Sequence, residues 1–193
     1  MDLFKTTSMG ALLLSAFLLC GCQPGKPLAQ SPVQTLPAID TIAEKMLVYQ
    51  RAIGGWPKAV NNKVVDYKLP LPESERDAVR KDSLAIDATF DNNATTREIR
   101  HLMTAYKNTR NPAYLQAVEK GLDYILKAQY DNGGWPQFYP DTRQYHAQIT
   151  YNDEAMVRVL TVLKDVSDGK RNFNLLDPKW IPLAKTAVEK GVS

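Results

Sequence analysis

The chain has 193 residues, which is enough for one domain with a sizeable hydrophobic core. Its 24 lysines and arginines stand against 21 aspartates and glutamates, and the net charge of +3 is spread along the chain, which argues against a nucleic-acid-binding tract. Its two cysteines, Cys20 and Cys22, both lie near the N-terminus, so a disulfide, thiol chemistry and a Cys-ligated metal are excluded for residues 23–193. With only two histidines, a zinc site is also disfavoured.

The first 22 residues have the pattern of an export signal. Lys5 lies in a short polar region, and the apolar run that follows, from Met9 to Leu19, is too short for a comfortable membrane span. The run ends in LCGC, which resembles the lipobox of bacterial lipoproteins. We therefore expect residues 1–22 to be a lipoprotein signal peptide with Cys22 acylated; an ordinary cleaved signal is the alternative. The expected location is exported: a periplasmic or outer-membrane lipoprotein of a bacterium, or a secreted protein.

Residues 23–37, QPGKPLAQSPVQTLP, are rich in proline and glutamine and are predicted to form an extended tether. The folded domain is expected over 38–193. Apolar side chains on one side predict a helix over 38–50, and this pattern stops at a Gly-Gly pair. Prolines bound an irregular connection predicted over 57–72, and a short charged helix is predicted over 73–83.

Four further helices are predicted in the remainder. Thr95 and Glu98 have the spacing of a capping box, in which the hydroxyl and the carboxylate each accept from a free backbone N–H. The NP pair at 111–112 has the order N-cap, then N1 proline, and predicts the next helix start. Apolar spacing predicts a helix after YND, and the DP pair at 177–178 begins another. No segment alternates as a strand does, so the predicted fold class is all-α.

Two short patterns occur twice. The pattern Q-x-x-x-G-G-W-P begins at Gln50 and again at Gln129, and AVEKG occupies 117–121 and 187–191. Each copy lies at a comparable point of a predicted helix or of its exit turn. Helix pairs that repeat at this length are typical of an α/α toroid, in which inner and outer helices alternate around an axis. We expect an incomplete α/α toroid.

The second exit turn, QYDNGGWPQFYP at 129–140, is unusually aromatic. Its two glycines and two prolines prevent a continuous helix or central strand. A plain loop does not need four rings, which are Tyr130, Trp135, Phe138 and Tyr139. The rings either pack beneath the loop as a local core or present flat faces to a ligand. Because Trp56 occupies the equivalent place in the first copy, we assign Trp135 mainly to structure.

Two polar stretches precede predicted helices: TFDNNATT at 89–96 and ITYNDEAM at 149–156. Asp91 lies beside Asn92 in the first stretch, and Asp153 lies beside Asn152 in the second. Hard oxygen ligands grouped before helices suit a divalent cation such as calcium, or an anion bridged by one. Simple N-capping by the same side chains is the alternative. No stretch of the chain resembles an EF-hand loop, a Walker A motif or G-x-G-x-x-G.

Three ordered segments, ATFDNNATTREIRHL, GLDYILKAQYDNGGWPQFYP and ITYNDEAMVRVLTVLKDV, together resemble the pectate lyases of polysaccharide lyase family 10. The resemblance covers about residues 40–193. It implies a calcium-dependent enzyme with an α/α toroid that acts on polygalacturonate. By this resemblance Asp91 and Asp153 line the site for Ca²⁺ and the substrate carboxylate. Asn92, Asn152 and Tyr139 are implied as substrate contacts in or near the cleft.

The resemblance also implies the reaction, which is β-elimination. A base removes the C5 proton of a galacturonate, the 4-linked oxygen leaves, and an unsaturated product forms. By the resemblance, the base is an arginine expected beyond Ser193. Because AVEKGVS stops within a predicted helix, we expect the chain to be the N-terminal part of a longer catalytic domain. Arg97, Arg100 and Arg143 do not match the motif of the base and are expected to be solvated or paired with carboxylates. Residues 1–193 alone are not expected to be active.

Two other classes of function remain open. A terpene-cyclase-like toroid shares the Q-x-x-x-G-x-W repeats but needs an Asp-rich ionisation motif, for which FDNN is a poor substitute. A lipid-anchored module that binds acidic polysaccharide without cleaving it is the main alternative. For the lyase, the expected partner is polygalacturonate (pectate). We expect no nucleic acid, membrane contact only through the N-terminal lipid anchor, and a monomer.

Overall fold

A computed structural model describes residues 39–149, 151 and 154–193 of the chain. The predicted signal peptide with Cys22, the tether, Asn152 and Asp153 lie outside the described residues. The α-helices of the described part are α1 Thr41–Tyr49, α2 Glu73–Lys81, α3 Thr96–Thr109, α4 Pro112–Ala128, α5 Ala155–Ser167 and α6 Trp180–Val192. None of these helices is long and apolar enough to cross a membrane.

Short-range signals in the sequence locate several helix starts. Asp40 caps α1 by accepting from two backbone N–H groups of the first turn, at 3.0 and 2.9 Å. Asn111 accepts from the backbone N–H of Ala113 at 3.0 Å, and a proline occupies the first position of α4. This is the arrangement that the Asn-Pro pair predicts. The charged helix predicted over 73–83 is α2, so that prediction is confirmed.

The predicted capping box at the start of α3 is wrong. The Thr95 side chain makes no capping bond. Its hydroxyl is engaged elsewhere, because Oγ1 accepts from Trp56 N at 3.0 Å and donates to Thr89 O at 2.9 Å. Glu98 is fully buried and accepts from the Tyr67 hydroxyl at 2.9 Å. Contacts between distant segments therefore replace the local cap.

The connection predicted to be irregular over 57–72 contains a small antiparallel hairpin, β1 Ala59–Val60 paired with β2 Lys63–Val64. Its two-residue turn consists of Asn61 and Asn62, with φ angles of +50° and +61°. Positive φ at both central residues matches a type I′ turn, and asparagine tolerates that region better than most residues. The Asn-Asn pair is thus a hairpin signal that the proline-based prediction overlooked.

Neighbouring helices pack as pairs. Helix α3 packs against α4 and α5 against α6, while α4 also contacts α1 and α6, and α3 contacts α5. The centre of the hydrophobic core comes from the facing sides of α3, α4 and α5, and its buried residues include Ile99, Leu102, Val118, Leu122, Ile125, Val159 and Leu163. The described part of the chain is mostly helical, as predicted.

The two repeated sequence patterns contact each other in the tertiary structure, and they do so in the same way in both copies. Gln50 follows α1, and its side-chain amide donates to a carbonyl of its own glycine turn at 2.8 Å and to Ala117 O of α4 at 2.9 Å. Gln129 follows α4 and makes the same pair of bonds, at 2.9 Å within its turn and at 2.8 Å to Ala187 O of α6. Each AVEKG segment therefore begins with an alanine whose carbonyl accepts a hydrogen bond from the glutamine of the preceding exit turn.

The glycine of each AVEKG segment makes room for a buried tryptophan. A Cβ on Gly121 would lie 2.9 Å from the ring of Trp56, and a Cβ on Gly191 would lie 2.9 Å from the ring of Trp135. Both indoles are at most 1% exposed, and each donates its Nε1–H to a carbonyl of the preceding helix at 2.8 Å. The assignment of Trp135 to structure is confirmed.

Candidate functional site

Three loops lie edge to edge around Asp91. Segment 54–60 follows α1, segment 87–95 precedes α3, and segment 133–149 lies between α4 and α5. Isolated antiparallel bridges join neighbouring loops at Pro57 with Ala88 and at Thr89 with Phe138, and a third bridge pairs Pro136 with Ile149 inside the last segment. The two exit turns therefore bring distant parts of the sequence to the stretch TFDNNATT.

Asp91 is a buried carboxylate paired with a lysine. It is 4% exposed, and its Oδ2 accepts from the ammonium of Lys58 in the first exit turn. Its Oδ1 accepts from Asn92 N at 2.9 Å, and its own N–H donates to Thr89 Oγ1 at 3.1 Å. Because a buried charge needs a partner, Lys58 balances Asp91 in this structure. The Lys58 side chain is 35% exposed, so the pair joins a buried carboxylate to an ammonium group that solvent can reach.

The turn before α3 is strained. Asn92, Asn93 and Thr95 have φ angles of +50°, +66° and +67°. Asparagine tolerates this region, whereas a β-branched threonine rarely adopts it. Thr95 has ψ of −50° and is the centre of a γ-turn that Thr96 N and Ala94 O close at 2.8 Å. Such strain persists only where surrounding contacts impose it, and it is frequent at functional sites.

Replacing Thr95 by valine tests whether its hydroxyl imposes this turn. Valine keeps the shape but leaves the buried Trp56 N–H without an acceptor, so we expect the free energy of unfolding to fall by about 2 kcal/mol. Thr95→Ser keeps the hydroxyl and is expected to lower it by less than about 1 kcal/mol. Urea unfolding of both variants beside the wild type measures the difference. A larger loss in Thr95→Ser than in Thr95→Val would show that the methyl group, and not the hydroxyl, holds the turn.

Asn93 supplies a buried oxygen without a partner. Its Oδ1 accepts no hydrogen bond in the described part of the chain, which is uncommon for a buried amide oxygen. Asn92 and Asn93 border a polar cavity of about 360 Å³ together with Glu154 and Arg158. Amide and carboxylate oxygens are ligands that Ca²⁺ accepts. The turn therefore offers hard oxygen donors next to Asp91, and these donors fit a calcium ion.

The aromatic exit turn is divided between core and surface. Phe138 is half-buried, stacks on the ring of His146 at a centroid distance of 4.2 Å, and lies 5.6 Å from the Lys58 ammonium. Tyr139 is half-buried and packs edge-on against Tyr124 at 5.8 Å. Phe138 therefore contacts the charged pair, whereas Tyr139 packs against the core. The role of Tyr139 as a sugar contact stays a prediction.

Asp141 holds the segment that supports Phe138. Its two oxygens accept from Nε and Nη2 of Arg143 at 2.8 Å, and Oδ2 lies 2.7 Å from His146 Nδ1. The hydrogen bonds from Arg143 hold the pKa of Asp141 well below its usual range. The ionised carboxylate thus positions the imidazole that stacks on Phe138.

Acid is expected to weaken this arrangement. Because the pKa of Asp141 is lower in the folded protein than its ordinary 3.8, its contribution to stability is fully present above about pH 4 and is lost as the pH falls below that value. Asp141→Asn removes the contribution at every pH. Urea unfolding should therefore show a gap between wild type and Asp141→Asn near neutral pH that closes as the pH falls below about 3. A gap of constant size would rule out the carboxylate charge as its source.

The three arginines considered as bases are paired with carboxylates, as predicted. The pairs are Arg97 with Glu98 at 2.6 Å, Arg100 with Asp165 at 2.5 Å, and Arg143 with Asp141 at 2.8 Å. Each of the three guanidinium groups therefore has a carboxylate partner in the described part of the chain.

Of the predicted site residues, Asp91, Asn92 and Tyr139 are described by the structure, and Asn152 and Asp153 are not. A metal site shared by Asp91 and Asp153 therefore stays a prediction. Within residues 39–149, 151 and 154–193, no three His, Cys, Asp or Glu side chains are grouped as a metal site requires. Asn92 is exposed at the edge of the polar cavity, where a ligand can reach it.

Lys58 was not predicted from the sequence. It follows the Trp-Pro pair of the first exit turn, where the second turn has Gln137. The two turns share the same packing, so a change from lysine to glutamine marks a position that the packing does not determine. Comparing the two copies position by position would have identified it.

Known proteins resemble the part of the chain that contains these site residues. Residues 50–193 match the family model described as pectic acid lyase. A family 10 polysaccharide lyase from Cellvibrio cellulosa is similar over 78% of this chain, with 31% identity and a TM-score of 0.63. A mutant of a family 10 lyase from the same organism, in complex with trigalacturonic acid, is similar over 78% with 30% identity and a TM-score of 0.64. This chain spans 43% of the length of each. No curated protein matched the chain.

Proposed function

The chain belongs to the pectic acid lyase family, and on this basis we propose that the protein acts as a calcium-dependent pectate lyase that cleaves polygalacturonate by β-elimination. The observation that carries the proposal is the family match over residues 50–193, which includes both exit turns and the strained turn with Asp91. The buried charge, the strained backbone and the unpartnered amide oxygen in that turn support a functional role for it.

The proposed substrate is a chain of galacturonates. The similar mutant lyase was solved in complex with trigalacturonic acid. Each unit of such a chain carries a carboxylate, several hydroxyls and an apolar C–H surface, so its site needs cations, amides and rings. We propose Asn92, Asn152 and Tyr139 as substrate contacts. Phe138 beside Lys58 adds a ring and a cation at the same place.

We propose that Asp91 and Asp153 hold the calcium ion. The support from this structure is the group of hard oxygens in one turn, among them the Asp91 carboxylate and the unpartnered Oδ1 of Asn93. Bound there, calcium supplies Lewis-acid stabilisation of charge on the uronate carboxylate. Lys58 opposes a second cation at Asp91, so its ammonium must move aside before the ion binds.

The residues of this chain then bind and orient the sugar. The C5 proton lies α to a carboxylate, and it is weakly acidic until the charge that develops on that carboxylate is stabilised. Lys58, once released from Asp91, can pair with the uronate carboxylate and contribute to that stabilisation. The arginine base implied by the resemblance is expected beyond Ser193. Arg97, Arg100 and Arg143 pair with carboxylates in this structure.

The architecture and the location extend the proposal. We propose that the paired helices, linked by two equivalent exit turns, form part of an α/α toroid. We also propose that residues 1–22 direct export and that Cys22 carries a lipid, in a monomeric protein tethered by residues 23–37. Such an anchor would hold the enzyme outside the cytoplasm, where an acidic polysaccharide is met before it is taken up.

The test uses the full-length protein without residues 1–22. Absorbance of the unsaturated product is followed with polygalacturonate at alkaline pH, first with calcium and then with a chelator. Product that appears only with calcium supports the proposal. If the chelator does not change product formation, the lyase proposal stands and the calcium site is rejected. Binding of polygalacturonate without product would favour the lipid-anchored binding module.

A further inference from the structure

A groove of about 410 Å³ lies between the first turns of α3 and α5, and this volume is in the range of ligand sites. Arg97 and Arg100 of α3 line one wall, and Arg158 of α5 lines the other. Among the described lining residues the carboxylate is Glu154, whereas Glu98 and Asp165, which pair with Arg97 and Arg100, do not line the groove. The described surface of the groove therefore presents three guanidinium groups and one carboxylate.

Carboxylate pairing does not use up these three arginines. Their side chains remain 39%, 29% and 39% exposed, in chain order. One partner of Arg158 is Glu154 at 2.9 Å, which is 69% exposed, and an exposed i,i+4 pair contributes little to stability. The partner of Arg100 is Asp165, which also pairs with Arg171 at 3.2 Å. Since a guanidinium has five N–H donors, each arginine can bind a ligand carboxylate while keeping its partner.

The other lining residues have the chemistry that a sugar acid requires. Thr96 and Thr161 supply hydroxyls, and Val157 supplies an apolar side chain that is 59% exposed. Hydroxyl, apolar and cationic groups together match the hydroxyls, C–H surface and carboxylate of a uronate.

The groove is continuous with the site beside Asp91. Asn93, Glu154 and Arg158 line both the groove and the polar cavity next to the strained turn. A linear ligand that begins at Asp91 can therefore continue along α3 and α5 without leaving the protein surface.

We infer that this groove is a second binding site for the same polymer, in which the three arginines bind carboxylates of galacturonates further along the chain. The inference rests on the proposed function. It predicts that longer galacturonate chains bind more tightly because of electrostatic contacts distant from the reacting bond. Short oligomers that fill only the site at Asp91 gain nothing from the groove.

The test measures the dissociation constants of trigalacturonate and hexagalacturonate by calorimetry, with a chelator present so that neither is cleaved. For Arg97→Gln and Arg100→Gln, which line the groove but not the polar cavity beside Asp91, we expect hexamer affinity to fall about tenfold and trimer affinity to change less than twofold. Glu154→Gln removes the negative charge of the groove and should raise hexamer affinity about twofold. Arg80→Gln, a charge loss on the exposed face of α2, is the matched control and should change neither constant. Thermal melting confirms that each variant is folded.

The outcomes separate this inference from the proposed function. Weaker hexamer binding in the arginine variants, with the opposite change in Glu154→Gln, supports the groove. Hexamer binding that is normal in all of these variants overturns the groove and leaves the lyase proposal intact. A wild-type protein that binds no galacturonide of any length, either with the chelator or with calcium, overturns both.

Discussion

Asp91→Asn is expected to reduce calcium-dependent cleavage of polygalacturonate by at least about 100-fold in kcat/KM, or ~2.7 kcal/mol of transition-state stabilisation. Asparagine has the shape of aspartate and can still accept from Asn92 N. It lacks the negative charge that attracts a divalent cation, so affinity for calcium should fall with activity. Product absorbance measures the first effect, and calcium titration by calorimetry measures the second without turnover.

Two controls show whether Asp91 acts through calcium or only as the partner of Lys58. Asp123→Asn removes a carboxylate that pairs with Lys127 on the surface of α4, and it should leave activity and calcium affinity unchanged. Lys58→Met breaks the buried pair from the other side and should lower the free energy of unfolding by about 2 kcal/mol. If Asp91 ligates calcium, Lys58→Met should raise calcium affinity, because the competing cation is gone. Equal losses of calcium affinity in Asp91→Asn and Lys58→Met would reduce Asp91 to a structural counter-ion.

Gly133→Ala is expected to lower the free energy of unfolding by about 4 kcal/mol or more. Gly133 has φ of +87°, and a Cβ there would lie 1.9 Å from Lys190 O in the backbone of α6. The turn cannot move away from Lys190 O without breaking the bonds that Gln129 donates to Gly133 O within the turn and to Ala187 O of α6. Strain in the left-handed region and a backbone clash therefore add. Urea unfolding of the full chain measures the loss.

Gly169→Ala is the matched control for this prediction. Gly169 also has positive φ, +63°, but the nearest atom to an added Cβ is 3.5 Å away, in the side chain of Asn174. The variant has the conformational strain without the clash and should lose only about 1 kcal/mol. Gly54→Ala in the first exit turn should behave like Gly133→Ala, since its Cβ would lie 2.2 Å from Lys120 O. Similar losses for all three variants would contradict a close backbone approach as the reason for the repeated glycines.

The candidate site combines features that the sequence predicts with features that it conceals. The stretch with Asp91 and Asn92 was identified from its residue types, and the family resemblance implied its role. The ion pair between Asp91 and Lys58 was not identified, because the two residues are 33 positions apart and meet only when the first exit turn docks beside the turn before α3. The unpartnered Oδ1 of Asn93 was also hidden, since hydrogen bonding depends on which groups the fold brings near.

The sequence by itself determined the helices, most of their starts, the structural role of Trp135 and the family. These follow from signals that act over a few residues, such as the Asn-Pro start of α4, or from repeated patterns that need no coordinates. Only the tertiary structure decided how the repeated turns and the AVEKG segments fit together, and what the polar groups of the site bind. Thr95 shows the physical reason. Its hydroxyl can satisfy either a local N–H at the start of α3 or the buried Trp56 N–H, which is 39 residues away. The hydroxyl accepts from the Trp56 N–H, which would be costly to leave buried without a partner, so the distant contact replaces the local cap.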